Sequence, residues 1–193
     1  MTQDATSTKQ RLLAAAKDEF AAHGIAGARV DRIADRAGVN KERIYGYFGS
    51  KQKLFEQVVA QALDELAEAV PLLPGGDPVD YVARVYDFHQ ANPDLVRLFL
   101  WEGLHCGDST LPNDAYRVTH YEKKVAALAE TFGTEASPKV AACLLSLIGV
   151  AAWSTAVPTM TRLILGTPQP DLRAHVIAFA RQALSGTWPP ATA

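Results

Sequence analysis

Apolar residues recur at helical spacing along the whole chain, and no sustained two-residue alternation bounded by turn pairs predicts a strand. Leu12, Leu13, Ala16 and Phe20 share one face and predict a first helix from a Ser7/Thr8 cap to about His23, ended by Gly24. Two short helices follow. Gly49–Ser50 then leads into a long helix from Lys51 toward Val70, with Leu54, Phe55, Val58, Val59, Ala62 and Leu66 inward. The stretch PLLPGGDP at 71–78 breaks the pattern, being dense in Pro and Gly. Further helices are predicted over Pro78–Ala91, from Asn92–Pro93 through about His105, and over Asn113–Phe132. Ser137–Pro138, a cap followed by a first-turn proline, opens another. The final helix spans Asp171–Leu184, with Leu172, Val176, Phe179, Ala180 and Ala183 on its inner stripe. The predicted fold class is all-α.

The most informative stretch is DRIADRAGVNKERIY, residues 31–45. Ile33, Ala34 and Ala37 stripe its first short helix. Gly38 then stands where a left-handed backbone costs least, and Val39 follows as an apolar plug. Asn40 is placed as an N-cap for the second short helix, whose Ile44 and Phe48 return to the core. Two helices joined this way set the second into the major groove of DNA. Lys41, Glu42, Arg43, Tyr45 and Tyr47 remain on its outer side, with groups that hydrogen-bond base edges and phosphates.

Charge changes the picture once it is divided. The 193-residue chain has a formal net charge of −2, which by itself argues against a DNA partner. Residues 1–53, however, hold ten Lys/Arg against six Asp/Glu, and residues 54–193 hold nine against fifteen. A basic front on an acidic body confines the electrostatic footprint to one end. The two cysteines, Cys106 and Cys143, form no CxxC pair, so neither a disulfide framework nor a zinc knuckle is expected. The polar start MTQDATSTKQR has no apolar h-region, so no signal peptide is expected and the expected location is cytoplasmic. Val140–Val157 is an uncharged run of eighteen residues at the lower edge of membrane-spanning length. It is rich in Ala, Ser and Thr, is broken by Gly149 and Pro158, and is expected to be a fully buried packing helix rather than a span. Ala142, Ser146 and Gly149, flanked by Ala141 and Leu145, make a smooth face for close helix approach.

The N-terminal segment resembles the DNA-binding segment of TetR-family transcriptional regulators. Ala15, Ala16, Phe20, Gly24, Ile33, Ala34, Ala37, Gly38, Val39, Tyr45, Phe48, Ser50 and Lys51 match that family's pattern over about a quarter of the chain. The resemblance implies a helix-turn-helix domain at 1–50 and a helical ligand-binding and dimerisation domain at 51–193, with 51–70 as connecting helix. It further implies a homodimer whose last two helices pair; Leu145, Gly149, Ala152, Leu172, Val176 and Phe179 are the candidate interface. By position, Asn40, Tyr45 and Lys51 would meet phosphates, while Lys41, Glu42 and Arg43 would face the groove floor, with Tyr47 beside them. Arg29 stands where the family often has Thr; it is able to reach a phosphate but not to cap. The family often has Gly at position 42 and a small residue at 43, so this reading surface is bulkier and more charged.

The body carries no Ser/His/Asp order in motif context, no phosphate loop and no paired carboxylates, so no enzyme activity is expected. Glu102 and His105 have the Exx-His spacing of bundle metal sites, but no second pair accompanies them, and neither metal nor cofactor is expected. Tyr86 with His89, Trp101 with His105, Tyr116 with His120, and Trp153 pair large rings with polar tips, the make-up of an apolar ligand pocket. The expected function is a repressor released from a palindromic double-stranded operator by a small lipophilic or aromatic effector. The alternative is a ligand-independent DNA-binding protein whose body serves dimerisation or a protein partner.

Overall fold

The computed structural model describes residues 2–106, 114–166 and 171–185. These form ten helices and no strand: α1 (Thr2–Gly27), α2 (Val30–Ala37), α3 (Lys41–Phe48), α4 (Lys51–Ala69), α5 (Pro78–Ala91), α6 (Pro93–Cys106), α7 (Asp114–Thr131), α8 (Pro138–Ala156), α9 (Pro158–Leu165) and α10 (Leu172–Leu184). The all-α expectation holds. Several boundaries differ. α1 begins before the expected Ser7/Thr8 cap, because no Gly or Pro precedes that point to stop it. Thr8 is instead buried inside the helix, where its hydroxyl accepts from Arg11 at 3.4 Å. Gly24 bends α1 rather than ending it: its φ of 62° and ψ of 178° break the helical path, and Ala28 N–H donating to Gly24 O at 3.0 Å resumes the ladder. α9 was not expected. Pro158, read as a stop, serves as the first residue of a new helix, where its missing N–H costs nothing.

The chain falls into two compact units. The first comprises Met1–Glu65 and Asp94–Pro112, and so includes α1–α3, most of α4, and α6. Leu12, Ala16, Phe20, Ile33, Ile44, Leu54, Phe55 and Val59 are buried within it, and the Phe20 and Phe55 rings meet edge to face at 5.1 Å. Leu95 and Leu98 of α6 are also fully buried.

The second unit comprises Leu66–Pro93 and Asn113–Ala193. α8 packs on α5 and α7, and α10 packs on α5 and α8. Tyr81, Val82, Val85, Leu128, Val140, Leu144, Leu147, Val176 and Ala180 form its core. Its helix starts are capped as short polar residues allow: Asp77 accepts from Val79 N–H at 2.8 Å, Ser137 from Val140 N–H at 3.4 Å and Asp171 from Ala174 N–H at 2.9 Å. Arg173 of α10 forks onto Asp87 of α5 at 2.6 and 2.8 Å.

Two expectations about packing are corrected here. α8 is not buried all round. Val140, Cys143, Leu144, Leu147 and Ala151 face the core, while Ala141, Ala142, Leu145, Ser146 and Gly149 are exposed. The inner stripe assigned to α10 spans two faces: Val176 and Ala180 are buried, whereas Phe179 and Ala183 point outward. α8 is the one described helix long and apolar enough to cross a membrane by length and composition.

Candidate nucleic-acid interface

α2 ends because Gly38 takes a left-handed conformation, φ 64° and ψ 40°. Its N–H donates to Asp35 O at 3.1 Å, and Val39 N–H donates to Ala34 O at 3.0 Å. These bonds close the last turn of α2 and redirect the chain into α3 within three residues. Ile33, Ala34, Ala37, Ile44 and Phe48 bury the inner sides of both helices, which fixes which side of α3 faces out.

On that outer side Glu42, Arg43 and Tyr45 are exposed, and their side chains make no hydrogen bond or ion pair among the described residues. Tyr47 is half-buried, its ring tilted against Phe48 at 6.1 Å. Lys41 pairs with Asp31 at 2.7 Å, and that contact holds its ammonium above the usual lysine range. Asn40 occupies the N-cap position with extended backbone, but its side chain makes no capping bond, so its amide stays exposed at the start of α3. Arg29 precedes α2 in the same extended form without a side-chain cap. Lys51 is half-buried, and its Nζ donates to Ala28 O at 3.2 Å, tying the start of α4 to the turn before α2.

The residue that holds the motif in place is Glu19, which the apolar stripes do not reveal. It is 5% exposed, accepts from Arg29 N–H at 2.9 Å, and accepts from Arg32 Nε at 2.8 Å. Burial alone would raise its pKa; the bonds from Arg32 and Arg29 outweigh that and hold the carboxyl below the usual range. Its position gives a signal: it lies seven residues after Leu12, on the buried stripe of α1, where an acid requires a partner.

The residues expected to line a ligand pocket are distributed differently. Trp101 and His105 belong to α6 and find partners in the first unit, at Ala21 and Gln52. The other five belong to the second unit. Tyr86 and His89 are buried on α5, Tyr116 and Trp153 are exposed, and His120 is half-buried. Burial raises the pKa of the Tyr86 hydroxyl. His89 Nδ1 has no hydrogen-bond partner among the described residues, and burial lowers the pKa of its ring. Of the candidate interface residues, Leu145, Gly149 and Phe179 are exposed, Ala152 and Leu172 are half-buried, and Val176 is a core residue. Val176 therefore serves its own unit's packing rather than an outer face.

Comparison with known proteins agrees with this geometry. The family model for bacterial regulatory proteins of the TetR family matches residues 12–58. The model for the tetracyclin repressor-like C-terminal domain matches residues 77–182. The chain belongs to the TetR family. An HTH-type transcriptional repressor of Streptomyces coelicolor, SCO4008, is 42% identical over 168 residues, covering 85% of this chain and 86% of that protein. The transcriptional repressor NicS of Pseudomonas putida is 36% identical over 111 residues, 54% of this chain and 52% of its own. Among solved structures, the transcriptional regulator SCO4942 from Streptomyces coelicolor superposes with a TM-score of 0.76 at 31% identity, covering 91% and 97% of the two chains. As a TetR-family member, the chain is a DNA-binding helix-turn-helix regulator of transcription, of the repressor kind.

Proposed function

We propose that this TetR-family chain acts as a cytoplasmic homodimeric repressor. It reads a palindromic operator through Lys41, Glu42 and Arg43, and a small lipophilic or aromatic effector releases it. The observation that carries the reading is the outer side of α3, where Glu42, Arg43 and Tyr45 stand exposed and uncommitted above a buried scaffold. An arginine fork fits the two acceptors of guanine, and a glutamate accepts from a cytosine amine. Asn40, Arg29, Tyr45 and Lys51 flank that surface and are assigned to phosphates, with Tyr47 beside the reading residues. Lys51 serves there through the charge it brings to the start of α4 as much as by direct contact.

The dimer is supported by the exposed apolar faces of α8 and α10, where Leu145 is 72% and Phe179 54% exposed. A second copy laid on α8 would find Ala141, Ala142 and Gly149 offering close approach. The effector is supported by two hollows in the second unit. A cavity of about 130 Å³ is lined by Cys143, Leu147, Val150, Phe179 and Leu184. An open groove of about 490 Å³ is lined by Val118, Tyr121, Glu122 and Val125. The ligand-independent reading gains from one observation: neither hollow is lined by Tyr86, His89, Tyr116, His120 or Trp153.

Selection of duplexes from a random pool, followed by binding across a salt series, tests the DNA reading. Arg43→Ala is expected to flatten preference at one base position, worth about 1–3 kcal/mol. Lys51→Ala should weaken all duplexes alike and reduce the salt slope by about one. Equal loss from both variants on every duplex would refute the assigned roles. Titration of the repressor–operator complex with lipophilic aromatic compounds separates the two readings of the body: release by none of them favours the ligand-independent one.

A further inference from the structure

We propose that Trp101 and His105, four residues apart on α6, grip the helix-turn-helix at its two ends and are positioning residues for operator binding. The proposal rests on the DNA-binding reading above and goes beyond it, because neither residue lies on α2 or α3.

Trp101 acts at the entry. Its Nε1 donates to Ala21 O at 3.3 Å, in the turn of α1 that precedes the Gly24 bend. The indole lies flat against Gly24: a Cβ added there would come within 2.7 Å of the ring. Only glycine fits, both for that approach and for a φ of 62°. The bend so filled lies six residues before the first residue of α2 by position, and Glu19, just upstream, holds Arg29 and Arg32.

His105 acts at the exit. Its Nε2 lies 3.0 Å from Gln52 Oε1, the second residue of α4. The amide oxygen accepts, so the imidazole donates. The amide is oriented by its own other end, since Gln52 Nε2 donates to Glu56 Oε1 at 3.1 Å. Gln52 adjoins Lys51, whose Nζ returns to Ala28 O before α2. Everything between the two grips is the helix-turn-helix itself. Fixing both ends removes freedom that DNA binding would otherwise have to remove, which is the way preorganisation raises affinity.

The test uses full-length protein, the operator selected above and a scrambled duplex of equal length. Trp101→Phe keeps a ring against Gly24 and loses the donor. His105→Ala loses its donor, and His105→Gln keeps one within reach of Gln52. Trp101→Phe and His105→Ala are each expected to weaken operator binding by about three- to tenfold, the scale of one lost neutral hydrogen bond. Scrambled-duplex binding should stay within about twofold, the thermal midpoint should stay close to the parent's, and His105→Gln should recover most of the affinity. Leu73→Ala, an exposed loop residue outside the grip, should change nothing. Folded variants that bind the operator like the parent would overturn the proposal, as would equal loss on both duplexes or a His105→Gln variant as weak as His105→Ala. If Trp101→Phe fails to fold, the exposed His105 pair decides alone. A parent that does not distinguish operator from scrambled DNA would instead overturn the DNA reading beneath it.

Discussion

Glu19 and Lys124 are buried charges with opposite effects. Glu19 is a satisfied anion: its folded pKa is lowered, so its contribution is present above the ordinary carboxylate range and is lost as pH falls through the lowered value. Glu19→Gln keeps the shape but removes the charge that Arg32 and Arg29 N–H complement. A loss of about 2 kcal/mol at pH 7 is expected in urea unfolding, together with a shallower fall of stability at acid pH. Lys124 is a buried cation without a counter-charge among the described residues. It is 6% exposed and donates to Tyr81 Oη at 3.1 Å. Burial, with repulsion from Arg84, lowers its pKa to about 8. Between that value and the usual lysine range the unfolded chain binds the extra proton, so stability rises with pH across that window. Lys124→Met is therefore expected to be more stable than the parent at pH 7, with the difference shrinking toward pH 10; equal pH slopes for the two proteins would contradict this. The recognition residues were legible in the sequence because the buried Ile44 and Phe48 fix the outer side of α3. Glu19 was not, because an acid on an apolar stripe announces a partner without saying which.

Helices were legible where period and punctuation agree, as at α5 and α8, whose Asp-Pro and Ser-Pro signals match the observed starts closely. Glycine and proline were legible as punctuation but ambiguous in sense: Gly24 reads as a stop and is a bend, and Pro158 reads as a stop and is a start. The difference is set by a neighbour distant in sequence, since Trp101 fills the angle at Gly24. Two substitutions separate these effects. Gly38→Ala meets only an ordinary contact with Arg11 Nη1 at 3.9 Å but keeps a φ of 64°, so a cost of roughly 1–2 kcal/mol is expected. Gly24→Ala carries the same backbone penalty plus a collision with the indole, and should lower the urea midpoint further than Gly38→Ala does. α8 illustrates a further ambiguity. Its apolar residues are distributed all round, so periodicity could not say which face the chain itself covers; packing on α5 and α7 decides that.

At the scale of the molecule, the exposed faces of α8 and α10 carry the oligomer prediction. Leu145→Glu combined with Phe179→Glu is expected to yield a monomer by sedimentation velocity at micromolar concentration and to weaken operator binding by an order of magnitude or more, because two half-sites are no longer held together. An unchanged sedimentation coefficient would place the dimer elsewhere. Chain order hides one thing entirely: α6 lies between segments of the second unit in sequence yet belongs to the first. Periodicity reports that α6 is a helix with Leu95 and Leu98 inward, but nothing in it reports whose core they join. That membership limits how the protein can be re-engineered. The DNA-reading part is not a cassette that can be cut at one linker and moved to another sensor. A chimera made by joining residues 1–65 to a foreign body would leave behind Trp101 and His105, and its operator affinity is expected to fall unless the new body brings an α6 shaped for Gly24 and Gln52.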